Sequence, residues 1–395
     1  MTTSAERIRS YSGPAILSYG FRPLFFCAGL WSALAMTIWI VFLSTGRSLP
    51  SAFAMVDWHV HELLYGYLPA VVAGFLLTAV PNWTGRLPIT GAPLLVLTAL
   101  WLAGRVILTV SAISGPVIAA LVDLSFLAVL ALVIGREVVS GRNWRNLKVL
   151  IAVGLLFFGN GLFHWEAASQ GAAWNAYGAR TGIAVAIFLI MLIGGRVVPS
   201  FTRNWLARQS RGRLPAPFGR FDMVTIGIAG ATLVLWVAAP DRSETAIFCL
   251  IAGFLHAARL ARWAGERTAA EPLMLILHVG YGFVPLGFLA VGLAGLSPET
   301  LPMSCALHAW TVGAVGVMTI AVMTRASLGH AGKPLHATPG IAVVYVCIIA
   351  AAVLRVLSGL DSAPESVLHL AAGAWIAAFT GFTIVFAPLL VRARK

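Results

Sequence analysis

Charge is what this sequence has least of. Of its 395 residues 10% are charged and 59% are hydrophobic, whereas a soluble domain usually carries about 25% charged residues. A water-soluble fold of this length would need far more polar cover, which excludes an ordinary soluble enzyme. The same hydrophobicity excludes a disordered chain. Cysteine is sparse as well. Cys27, Cys249, Cys305 and Cys347 each lie within an apolar run and form no CxxC, so they read as small packing residues rather than a metal or redox site. HExxH is missing, and no P-loop or Rossmann pattern sits in a strand–helix context, which disfavours a zinc protease and a nucleotide site. Lysine is nearly absent, at Lys148, Lys333 and Lys395 only, so arginine carries most of the net charge of +13. These arginines fill short gaps between apolar runs and do not gather on one face of a domain. That pattern reads as contact with membrane lipids and not with nucleic acid.

Long apolar runs are abundant. A helix crosses a bilayer with about 20 apolar residues, and twelve such runs occur, at 24–43, 60–80, 91–110, 116–135, 147–165, 181–197, 222–240, 244–262, 272–294, 301–323, 337–357 and 366–391. The shortest is 181–197. The run from Leu24 is too long for the apolar part of a signal peptide. No linker separates two domains, so the expected fold is all-α: a polytopic integral membrane protein, residues 1–395 forming a single transmembrane domain of twelve helices in one bundle. With the N-terminus inside, 22 of the 27 basic residues fall on the inner side. The positive-inside rule therefore puts both termini in the cytoplasm.

Ionisable groups inside a membrane are costly, so they mark where chemistry is to be sought. Nine histidines are present, at 59, 61, 164, 256, 278, 308, 330, 336 and 369, and seven of them lie in or at the ends of expected spans. His59, His61, His164, His308 and His369 belong to the outer half, His308 about 10 Å deep. His256 and His278 form a second level nearer the inner face, on consecutive helices. Neutral imidazoles at matched depth suit axial ligation of haem iron or a metal site, although a proton path or plain core hydrogen bonding would use the same residues. In Trp58-His59-Val60-His61-Glu62, helical spacing puts His59 and Glu62 on one face and pairs His61 with Tyr65. Arg105 and Asp123 lie at similar depth on a hairpin of two spans and are expected to pair.

Several strings together resemble the NnrS family of bacterial membrane proteins linked to the nitric oxide response. They are Phe21-Arg22-Pro23, Trp58-His59-Val60-His61-Glu62, Ala73–Gly85, Asn160-Gly161-Leu162-Phe163-His164, Arg196–Thr202, Leu255–Arg259, Leu277–Tyr281, His308-Ala309-Trp310 and Met323–His330. The likeness runs from Phe21 to Lys333 and is weaker in the last two helices. It implies a twelve-helix protein of the bacterial inner (cytoplasmic) membrane that holds haem b and copper, binds nitric oxide and protects against nitrosative stress. By motif position, His59, His61, His164, His256, His278, His308 and His330 carry over, whereas His336 and His369 fall outside the matched strings. On this reading His59, His61, His164 and His308 form an outer metal cluster, and His256 and His278 ligate haem. Glu62, Tyr65 and His308 serve the reaction, the first two as proton or hydrogen-bond donors. Arg259 and Arg325 meet haem propionates or else anchor the inner surface. A quinol or a cytochrome would supply electrons. The alternative is a transporter or metal-trafficking protein without redox chemistry, for which a discontinuous helix at His59 would speak.

Overall fold

The computed structural model describes residues 11–84, 88–209, 212–360 and 363–392, with side chains at all of these except 80–84 and 145. Within them no strand occurs, and twelve helices are long and apolar enough to cross a membrane. They are α1 (Phe21–Thr45), α2 (Met55–Ala79), α3 (Ala92–Thr109), α4 (Pro116–Ser140), α5 (Leu147–Gln170), α6 (Tyr177–Leu206), α7 (Arg220–Ala238), α8 (Ser243–Ala261), α9 (Pro272–Leu296), α10 (Met303–His330), α11 (Pro339–Leu357) and α12 (Glu365–Val391). The twelve apolar runs thus correspond one to one with helices. The run expected to be shortest is the longest helix, because α6 continues past its apolar stretch through Pro199 and Arg203. Of the basic residues counted for topology, Arg7, Arg9, Arg86, Arg211, Arg394 and Lys395 lie outside the described residues, as does Gly85 of the second long motif.

Local sequence sets the helix ends. Proline opens α3, α4, α9 and α11, where its missing N–H costs nothing and its fixed φ suits a first turn. Gly46 and Gly171 end α1 and α5 with φ of 70° and 73°, which an L side chain rarely adopts. The outward faces stay apolar: Val106, Leu132, Val234, Val346 and Ile384 are all exposed, as lipid contact requires.

The described residues group into two compact units. One runs through Gly182 and includes Ala326–Lys333 and the stretch from Phe382; the other comprises Ile183–Arg325 and Pro334–Gly381. In the first, α1 packs on α2, α3 on α4, and α4 on α5. In the second, α8 packs on α9 more extensively than any other pair, with α7 on α8 and α10 on both α9 and α11.

Among the described residues, three helices depart from α geometry inside the span. Glu62–Tyr67 in α2, Ile190–Gly194 in α6 and Ala309–Val317 in α10 are π-helical. Such widened turns are rare and concentrate at functional sites. Two of them adjoin the polar clusters of the two units. The chain is nonetheless unbroken from Met55 through Ala79, so the discontinuity at His59 that would favour a transporter is not found.

Candidate metal centre

In the first unit, four helices bring polar side chains to one buried point. Helix α2 supplies His61 and Glu62, α3 Arg105, α4 Asp123, and α5 Asn160 and His164, and all six are buried. Arg105 donates through one terminal nitrogen to Glu62 Oε2 at 2.6 Å and through the other to Asp123 Oδ1. This is the ion pair the sequence led us to expect, extended by a second carboxylate. The approach needs a glycine: a methyl on Gly66, one turn after Glu62, would collide with the Arg105 guanidinium and with Glu62. Trp31 of α1 donates to the same Glu62 oxygen at 2.7 Å, and Trp101 caps the Gly66 carbonyl at 2.8 Å.

The second oxygen of Asp123 faces two imidazoles. Its Oδ2 is 3.3 Å from His61 Nε2 and 3.2 Å from His164 Nε2. Asn160 bridges Asp123 and His61, donating to Asp123 Oδ2 at 2.7 Å while its carbonyl lies 2.8 Å from His61 Nε2. The donation to a carboxylate fixes which end of the amide is oxygen. His61 Nδ1 points to Glu62 Oε1 at 3.3 Å. Ligand atoms of His61, Asp123 and His164 all lie within 4.8 Å of one another, the span of a small metal site. One guanidinium stands against two carboxylates, so the cluster carries one uncompensated negative charge when both histidines are neutral. In a low-dielectric interior a bound cation, or a proton on His61, must balance it.

Aromatic rings close the site. Phe53 lies 5.3 Å from the His61 ring and 5.2 Å from His164, Phe163 is 5.3 Å from His61, and Tyr65 is 5.6 Å from His61 as the helical spacing implied. Tyr65 donates its hydroxyl to the Gly178 carbonyl at 2.6 Å. Two further carboxylates secure the neighbouring backbone. Asp57 accepts from the amides of Ala173 and Trp174, and Glu166 accepts from Tyr177 and Gly178 at the start of α6. His59 stacks on Trp39 with ring centroids 4.4 Å apart. His330 packs against Tyr19 and Phe21.

The second unit holds a different cluster. Arg259 of α8 is fully buried, and four of its N–H positions are taken: by Asp222 at 2.8 Å, Tyr281 hydroxyl at 2.7 Å, Met191 carbonyl at 3.1 Å and Gly195 carbonyl at 3.3 Å. These carbonyls are available for a local reason. Pro199 has no amide to offer the carbonyl four residues before it, which is that of Gly195. Met191 sits in the π-helical stretch, where the regular ladder is displaced. A methyl on Gly195 would again collide with the guanidinium. Asp222 also caps the amide of Gly219 at the start of α7 and lies 3.6 Å from Arg262. Arg259 therefore has a protein carboxylate as its partner.

The remaining candidate residues divide as follows. His256 Nδ1 is 2.9 Å from Tyr281 hydroxyl, and His278 Nε2 is 2.8 Å from Thr202 Oγ1. Among the described residues no hydrogen bond or ring contact joins His256 to His278; His256 Nε2 and His278 Nδ1 are buried without partners. His308 Nδ1 donates to the Ser304 carbonyl at 2.5 Å. Arg325 lies over the Phe201 ring, 3.9 Å from its centroid, with one nitrogen 3.4 Å from Met274 Sδ, and has no carboxylate partner among the described residues. His336 pairs with Glu271 at 2.6 Å, and His369 Nδ1 contacts the Glu365 carbonyl at 3.3 Å. Sequence reasoning missed Asn160 and Trp31. Asn160 opens the string that ends in His164, and its four-residue spacing to that histidine was the available signal.

The model of the NnrS protein family matches residues 15–394, nearly the whole chain. No curated protein matches it.

Proposed function

Because the chain belongs to the NnrS family, whose members have a suggested role in the nitric oxide response and a suggested metal cofactor, we propose that it is a haem- and copper-containing protein of the bacterial inner membrane that binds nitric oxide and protects against nitrosative stress. The observation that carries this reading is the buried His61–Asp123–His164 group, three ligand atoms within 4.8 Å in a site one positive charge short of neutrality when both histidines are neutral. Once His61 gives up the Nε2 hydrogen that faces Asn160 Oδ1 and keeps the one on Nδ1 toward Glu62, two imidazoles and a carboxylate suit a first-row transition metal such as copper. Glu62 and Arg105 hold Asp123 in place, Asn160 orients its free oxygen, and Phe53 and Phe163 keep water from the ligand atoms. These supporting contacts are the kind that tune a metal site.

For haem, His308 has the suitable tautomer: Nδ1 donates to a backbone carbonyl, so Nε2 keeps its lone pair. His278 fits by similar reasoning. Thr202 gives its proton to the Val198 carbonyl at 2.9 Å, so His278 Nε2 donates to Thr202 and the buried Nδ1 keeps the lone pair. Arg325, without a carboxylate partner, suits a propionate. When bound in the reduced state, these centres supply affinity for nitric oxide. A quinol or cytochrome is the proposed electron source.

The test is a haem and metal count on the purified full chain, with an optical spectrum before and after nitric oxide. Stoichiometric haem and copper and a nitric oxide-dependent spectral shift are expected, with copper lost in D123N and H164A. A chain purified with neither cofactor, and unable to take up either, overturns the reading.

A further inference from the structure

The contacts of Tyr281 fix the position of a proton in the second unit. Its hydroxyl is fully buried and has two partners, Arg259 at 2.7 Å and His256 Nδ1 at 2.9 Å. A guanidinium only donates, so the phenol oxygen accepts from Arg259. The single phenol proton must then find an acceptor. If His256 Nδ1 bore a hydrogen, Tyr281 would accept twice and its own proton would be buried with no partner, at a cost of about 1–3 kcal/mol. The proton therefore points from Tyr281 to Nδ1, and a neutral His256 carries its hydrogen on Nε2. Arg259 cannot swing away to relax this order, because Asp222 and the carbonyls of Met191 and Gly195 hold it.

His256 Nε2 is thus a buried donor with no acceptor among the described residues. A nitrogen bearing hydrogen has no lone pair for a metal. Thr225 Oγ1 is buried and unpartnered too. Its position matches: Thr225 lies three residues after Asp222 on α7, and His256 lies three residues before Arg259 on α8. The two helices are consecutive spans bridged by the Asp222–Arg259 ion pair. Both orphan groups therefore stand about one turn deeper than that pair, on its side of each helix. The Asp222 and Arg259 charges cancel, and Arg262, which also lies near Asp222, is partly exposed to solvent, which favours an uncharged occupant. Phe288 stacks on the His256 ring at 6.0 Å and closes one side.

We propose that His256 is not a metal ligand, and that its Nε2–H together with the Thr225 hydroxyl binds one water-sized, uncharged oxygen acceptor between α7 and α8. Two polar partners in an enclosed position meet the requirement for a buried water. The inference stands apart from the metal-centre reading, which rests on the first unit.

The experiment uses full-length protein labelled with nitrogen-15 at histidine, with water itself as the probe. H256Q identifies the His256 signals by their loss. The expected spectrum shows hydrogen on Nε2 and none on Nδ1, with magnetisation transfer from water to the Nε2 hydrogen that is lost in T225V. Haem and copper per chain are expected to be unchanged in H256Q, while D123N loses copper. A hydrogen on Nδ1, a T225V variant that keeps the water transfer, or loss of a full equivalent of haem or copper from H256Q at an unaltered unfolding midpoint each overturns the proposal. Should H256Q fail to fold, Y281F identifies the His256 signals instead, by the shift that loss of the phenol produces in them. The wild-type spectrum is then read as before, and a hydrogen on Nδ1 overturns the assignment.

Discussion

Arg105 and Asp123 join side chain to side chain across the α3–α4 hairpin, and the carboxylate oxygen that Arg105 leaves unused is the one facing His61 and His164. The ion pair and the candidate metal ligand are thus the same residue. Pairing on one oxygen fixes the direction of the other. A structural reading and a functional reading of Asp123 therefore describe two edges of one carboxylate.

Removing one partner of this pair leaves an uncompensated charge in the membrane interior. R105A is expected to destabilise the protein by about 3–5 kcal/mol, because Glu62 and Asp123 then face each other without a cation. In R105M combined with E62Q and D123N, where no carboxylate charge remains, most of that loss should be recovered. Unfolding midpoints in one detergent, compared across the single and combined variants, check this.

The geometry ranks the outer histidines. H61A and H164A should each lower bound copper to near zero, whereas H59A should retain it, since His59 is stacked on Trp39 and is not part of the His61–Asp123–His164 group. Elemental analysis of the three purified variants decides the order. Metal loss from H59A equal to that from H164A would show that both histidines ligate.

Arg105 and Arg259 each lie where a glycine leaves room. G66A and G195A each put a methyl group into a guanidinium, and overpacking of this kind costs about 1–3 kcal/mol. P199A acts differently at the second site. It restores an amide that competes with Arg259 for the Gly195 carbonyl, so it should weaken the Arg259 anchorage. The combined R259M/P199A variant should lose less than the sum of the single changes, which a double-mutant cycle on unfolding midpoints can read.

Outside the spans, Arg213 binds Glu266 through both carboxylate oxygens. The hydrogen bond from Arg213 holds the Glu266 carboxyl below its ordinary value. A carboxyl so depressed contributes stability above its unfolded-state value, and that contribution is lost as pH falls through the lower folded value. The pair is exposed and the effect small. The difference in unfolding midpoint between wild type and E266Q should be present at neutral pH and vanish in acid.

The sequence made the spans legible because hydrophobicity integrates over many residues. It also made the Arg105–Asp123 pair legible, because a short hairpin matches depths directly. What it could not supply was rotation about each helix axis. Whether His59 or His61 turns inward depends on the packing of α2 and on its π-helical stretch, and no local pattern announced that stretch. Arg259 shows the same limit. Counting charge by side reads it as a surface anchor or a propionate partner, and only the carbonyls exposed by Pro199 and by the π geometry of α6 reveal the interior seat it occupies.

The widened turn at Glu62–Tyr67 makes the pitch of α2 as consequential as its composition. Were those residues to wind at ordinary α pitch, with the chain length unchanged, the greasy exterior would stay intact. The two flanks would, however, pivot by about 100° relative to each other. His61 would then be out of phase with the rest of α2, and a chain fully able to insert into the bilayer would hold its arginine against a methylene wall instead of a carboxylate.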